Sequence, residues 1–275
     1  MQQVRRAAVA GQWYPGTRAR LADAVDEHLA SAALDAPAFD RLHAIVAPHA
    51  GLMYSGPVAA YAYNAARRSP YASVVLVGPS HFVPFDGVSI WPGGSWDTPF
   101  GEVPIDGELS AAIRASSSEI ADYPAAHARE HSLEMQLPFV AHLMAGVPIV
   151  PLVMGRQTRE TAMALGKALA DAIAARADAV LLVASSDLSH YEDAQTAAVL
   201  DRVVADHVEA LDPDGLMGAL EREPRHACGG GPMVAVLHAA RRLGATHARV
   251  LRYADSGDVS GDKSSVVGYM AAAIW

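Results

Sequence analysis

The chain has 275 residues, 51% of them hydrophobic and 19% charged, long enough for one large α/β domain over residues 1–275, and no Pro/Ser-rich or charge-rich linker divides it. Its net charge of -9 gives a phosphate backbone no general attraction, which argues against a nucleic-acid partner. No run of about 18 uncharged apolar residues occurs, the start MQQVRRAAVAGQWYPG lacks the apolar core of a signal peptide, and the single cysteine, Cys228, excludes an internal disulfide; the expectation is a cytoplasmic protein with no membrane span.

In chain order, Leu21, Val25 and Leu29 stand four apart and predict an amphipathic helix from Thr17 to Ala33. The run AIVAPHAG (44–51) is apolar without alternation, the mark of a strand buried on both faces, and ends at Pro48. Ser55 is a candidate N-cap for a helix to about Arg68, and VVLVGPSHF (74–82) is a second buried strand. GVSIWPGG and GEVPID read as short strands and turns. Leu133, Leu137, Val140 and Met144 share one helical face between Ser132 and Met144, with Pro138 at a kink or in the first turn. VPIVPLVMG predicts a strand, Arg159 to Ala175 an Ala-rich helix, and VLLVASSDLSHY (180–191) a third buried strand running into a polar loop. Helices over Ala194–Leu211, Pro213–Glu221 and Gly231–Leu243 come next, then strands over Ala248–Tyr253 and Ser265–Ala273. This alternation predicts an α/β fold with a central, mostly parallel or mixed sheet flanked by helices.

In such sheets the ligand crevice lies beyond the carboxyl ends of the strands, where His49, His81, Asp187 and His190 all fall. His49 and His81 follow Pro48 and the Gly78-Pro79-Ser80 turn in matched settings, so two neutral imidazoles can face one crevice as ligands for zinc, iron or copper; the plainer alternative is that each bonds its own loop. Asp187 and His190 stand three apart, close enough for the carboxylate to orient a general acid or base, unless Asp187 simply caps a following helix. Cys228 opens CGGGPM near a helix start and is either a metal-binding or nucleophilic thiol or a small buried side chain. His127, Glu130 and His131 match the H-x-x-E-H pattern of inverted zinc peptidases, which needs one continuous helix. Glu134 is placed to reach a polar pocket with His131, and Trp13 to wall a cleft or anchor a chain end. Asp255, Asp258 and Asp262 lack EF-hand spacing and read as a solvated loop.

Together AGQWYPG, APHAGLMYSG, GPSHFVPFDG, EHSLEMQLPF, SSDLSHY, CGGGP and YADSGDVSGDKSSVVGYMA resemble the Memo family over nearly the whole chain. The resemblance implies the fold of class III extradiol-type (LigB-like) nonheme iron dioxygenases. It implies a metal pocket of two histidines and a cysteine, matching His49, His81 and Cys228, with Asp187 and His190 in the SSD-x-x-H motif and Trp13 in the N-terminal one. The expected function is a metal-dependent oxidoreductase with iron, or alternatively copper or zinc, acting on a small aromatic substrate. His190, Asp187, His131 and Glu134 are the candidate catalytic residues and Trp13 the substrate contact. The alternative is a non-catalytic module that binds a peptide or small anion in a vestigial metal pocket. The resemblance also implies radical SAM and AMMECR-type protein partners. Gly229-Gly230-Gly231 departs from the bulkier basic residues of animal members, which argues against their phosphotyrosine-peptide binding.

Overall fold

A computed structural model describes residues 3–34, 39 and 42–275. Strand β1 (Val4–Arg5) is followed by helix α1 (Arg18–Ser31), which buries Leu21, Val25 and Leu29, the stripe its spacing predicts. Then come β2 (Ala44–Ala47), α2 (Leu52–Ala66), β3 (Ser73–Pro79), β4 (Val88–Ile90), β5 (Ser95–Thr98) and β6 (Gly101–Pro104). Helix α3 (Gly107–Ala115), strand β7 (Ile120–Ala121), the single turn α4 (Ala125–Ala128) and α5 (Leu137–Leu143) lead to β8 (Ile149–Met154). The second half runs α6 (Arg159–Ala174), β9 (Val180–Ser185), β10 (His190–Glu192), α7 (Ala194–Glu209), α8 (Pro213–Arg222), α9 (Gly230–Arg242), β11 (Ala248–Asp255), α10 (Gly257–Ser260) and β12 (Val266–Ile274).

The main sheet is mixed, in the order β10-β12-β2-β9-β3-β8-β4-β7, with β11 also paired to β12. Its centre, β2-β9-β3-β8, is parallel, while β12 joins β2 and β4 joins β8 antiparallel. Every residue of β2, β3, β8 and β9 is buried, because both faces are covered. Val46, Val75, Val77 and Leu182 enter one apolar cluster with α6 and α9; Ile45, Val74, Leu76 and Leu181 enter the other with α1 and α2. Successive side chains of a strand point to opposite faces, so one unbroken apolar run supplies both clusters.

Three departures from the sequence reading have local causes. Helix α2 begins at Leu52, with Gly51 at its N-cap, and Ser55 turns its hydroxyl back to donate to the Ala50 carbonyl at 2.8 Å instead of capping. The stretch from Ser132 holds a short 3-10 turn, Glu134–Gln136, before α5, with Pro138 in the first turn, where its missing N–H is not needed. After β9, SSDLS opens no helix: β10 begins at His190 and pairs with β12, so Asp187 caps nothing downstream.

Candidate metal centre

In the sheet β9 lies between β2 and β3, so three neighbouring carboxyl ends feed one crevice: β2 delivers His49, β3 delivers His81 and β9 delivers Asp187. The loop after α4 brings His131, and the stretch before α9 brings Cys228. Ligating atoms of His49, His81 and His131 all lie within 4.8 Å of one another, close enough to hold a metal ion. The rings of His81 and His131 stack at 4.6 Å, and His49 meets both edge-on.

The surrounding hydrogen bonds fix which ring nitrogens are free. Ser185 has one hydroxyl proton and gives it to the Ser132 carbonyl at 2.6 Å. It must therefore accept from Gln136 Nε2 at 2.7 Å and from His49 Nδ1 at 3.0 Å, which puts the His49 proton on Nδ1 and leaves a lone pair on Nε2. Gln136 is itself oriented, donating to the Pro48 carbonyl and accepting from the Tyr63 hydroxyl. His81 Nδ1 lies 2.9 Å from Glu130 Oε1, an acceptor only, so its free lone pair is also on Nε2. The Glu130 carboxylate accepts as well from the backbone N–H groups of His81, His131 and Ser132, and so pins the two histidine loops together. Burial pushes its pKa up, but these hydrogen bonds and the His81 ring outweigh that and bring it down to about 2. Desolvation, then the neighbouring imidazoles, lower His49 to about 3 and His131 to about 4, so both rings are neutral and ready to ligate at neutral pH.

Cys228 Sγ sits 3.2 Å from His49 Nε2, and burial followed by the Asp187 charge pushes its thiol pKa up. Its position depends on the glycines after it. Gly229 packs so tightly on the end of β9 that a Cβ would come within 2.6 Å of the Ser185 carbonyl, and Gly231 donates its N–H to Gln157. Asp187 accepts from the N–H groups of His49 (2.7 Å) and Ala50 (3.2 Å), holding the first histidine loop. The orienting hydrogen bond from Asp187 to His190 that the three-residue spacing suggested is replaced by another: His190 Nδ1 donates to the Leu188 carbonyl at 2.8 Å, which leaves Nε2 free. Burial raises the Asp187 pKa.

A cavity of about 660 Å³ opens on this cluster, lined among others by Trp13, His49, His81, His131, Asp187, His190 and Cys228. The Trp13 ring lies 4.2 Å from that of His131, forming one wall. Glu134 is buried away from that lining: its carboxylate takes hydrogen bonds from Arg5, the N–H groups of Ala8 and Val9, and the Tyr14 hydroxyl, tying down the segment that carries Trp13. The peptidase pattern does not form, because α4 ends at Ala128 and His127 turns away to Ser89, boxed by Trp91 and Trp96. The acidic loop near the C-terminus already has its cation, since Lys263 reaches both Asp255 and Asp258. Glu130, Ser185 and Gln136 carry roles the sequence reading missed; only Glu130, a member of the H-x-x-E-H match, left a trace.

Among the described residues, no helix is long and apolar enough to cross a membrane. Residues 5–273 match the Memo-like protein family. MEMO1 family proteins of Methanothermobacter thermautotrophicus (40% identical; 97% of this chain, 98% of the relative), Pyrobaculum aerophilum (38%; 97% and 97%) and Thermotoga maritima (37%; 98% and 99%) align over nearly their full lengths. A solved structure of an uncharacterized Escherichia coli K12 protein shares the fold with a TM-score of 0.57 at 15% identity, covering 84% of this chain and 99% of that one. The chain belongs to the Memo-like protein family.

Proposed function

We propose that the chain is a metal-dependent oxidoreductase of the dioxygenase-like type, acting on a small aromatic substrate in the cytoplasm. The observation that carries this reading is the convergence of three imidazoles, two with the Nδ1 proton already committed, on a cavity that also holds His190. Neutral imidazole donors suit iron, copper or zinc. Iron is the metal implied by the resemblance to extradiol-type dioxygenases. When bound, such a metal supplies Lewis acidity and a redox centre.

The chain's own residues supply the remainder. Asp187, Glu130 and Ser185 hold the ligand loops and tautomers. With Nδ1 bound to Leu188, His190 has Nε2 as its free nitrogen, the atom that takes a proton from a substrate hydroxyl. Trp13 offers a flat wall for a ring, and Glu134 keeps that wall in place. Metal analysis of protein purified without added metal, followed by oxygen-uptake assays against a panel of catechols, tests the reading. Uptake that is abolished in His190→Ala supports it. Catechol affinity without uptake supports instead a non-catalytic binding module in the same pocket.

A further inference from the structure

His190 is held by a second set of residues, outside the motif that carries it. Its Nδ1 donor reaches the Leu188 carbonyl, so the ring's orientation depends on where the Leu188–Ser189 backbone lies. That backbone is fastened on two sides. Leu188 N–H donates to the Gly268 carbonyl at 2.8 Å, and Gly268 N–H donates to the Ser189 carbonyl at 2.9 Å, locking the loop to β12. On the other side Ser189 N–H donates to Asp201 Oδ1 at 2.9 Å, and the second oxygen of Asp201 accepts from the Tyr253 hydroxyl at 2.8 Å.

Asp201 is fully buried on α7, and Tyr253 comes from β11, so three separate elements meet behind His190. The fit is close: a Cβ at Gly268 would lie 1.9 Å from Asp201 Oδ2, which only a glycine avoids. A buried carboxylate is costly unless its oxygens are matched by donors, and here the donors are the loop itself and one tyrosine. An apolar residue in its place would leave the buried Ser189 N–H without an acceptor, so the carboxylate is matched to the loop. The arrangement is therefore aimed at the loop, and through it at the imidazole.

We propose that Asp201, steadied by Tyr253, is a positioning residue that holds His190 in its Nδ1–H tautomer with Nε2 free toward the cavity. It rests on the reading of His190 as the acid–base group, yet its test needs neither metal nor substrate. Nitrogen-15 NMR of the histidine side chains in the metal-free protein distinguishes the two tautomers, and His190→Gln identifies the His190 signals. In the wild-type protein His190 is expected almost wholly as Nδ1–H. In Asp201→Ala it should redistribute to a mixture, with the Nδ1–H fraction falling to about half or below. Asp201→Asn, whose Oδ1 can still accept from Ser189, should restore most of the wild-type signal. Tyr253→Phe removes one hydroxyl from a partly buried ring, and should move the same signals in the same direction by less, which keeps the test open should Asp201→Ala fail to fold. Unchanged His190 signals in Tyr253→Phe, and in Asp201→Ala where that variant folds, overturn the proposal. An active enzyme in His190→Ala would instead overturn the acid–base reading and leave the positioning result standing.

Discussion

At the scale of single residues, the site is prepared by acceptors that decide where histidine protons reside. With its single proton given to Ser132, Ser185 can only accept from His49, so Ser185→Ala removes the acceptor and frees the His49 tautomer. Loss of such a partner costs about 10–100-fold in metal affinity, which cobalt titration followed by absorbance would read. The same neutrality has a consequence for stability. His127 is buried in the Trp91–Trp96 box and lowered to about 3 by desolvation, then by the Arg5 charge. Its pKa is about 6.5 when unfolded, so between those values the unfolded chain binds more protons than the folded one. The stability it contributes is whole above about pH 6.5 and is lost as pH falls toward 3. Urea midpoints measured from pH 7.5 downward should therefore fall, and His127→Gln should flatten the slope. A slope that His127→Gln leaves untouched would show that the group does not titrate with unfolding.

At the scale of elements, the buried strands were readable because unbroken Val, Ile and Leu runs have one stable home, a sheet covered on both faces. The apolar runs carry no information about the backbone path beyond their carboxyl ends. The spacing of Asp187 and His190 fits a helical turn, yet the backbone there enters β10, and each side chain bonds elsewhere. Ser185 and Gln136 were silent because a lone serine at a strand end or a lone glutamine in an apolar stretch has no spacing to betray it. Glu134 is a different case: its short distance from His131 in sequence pointed at the pocket, whereas the N-terminal segment claims all of its acceptor capacity. Breaking a buried pair of this kind costs about 3–5 kcal/mol, so Glu134→Ala should lower stability by that order in denaturant titration and expose residues around Trp13 to early hydrogen exchange. Wild-type exchange rates near Trp13 in that variant would mean the segment is held by other contacts.

At the scale of the whole molecule, the order β2-β9-β3 makes the site, since it sets side by side three strand ends that are far apart in sequence. Two histidine positions were legible from that logic, because each stands directly beyond a buried apolar run. The third imidazole was named only as a candidate catalytic group and not as a metal donor, because His131 arrives from a loop between α4 and the 3-10 turn and is held by Glu130, not by the sheet. Cys228 arrives from a fourth direction and touches His49, but the clustered donors are the three histidines. Metal content per chain, measured by elemental analysis on wild type, His131→Ala and Cys228→Ser purified side by side, tests this most directly. About one metal per chain in wild type and in Cys228→Ser, with loss in His131→Ala, is the predicted result. A full complement in His131→Ala would contradict the three-histidine centre.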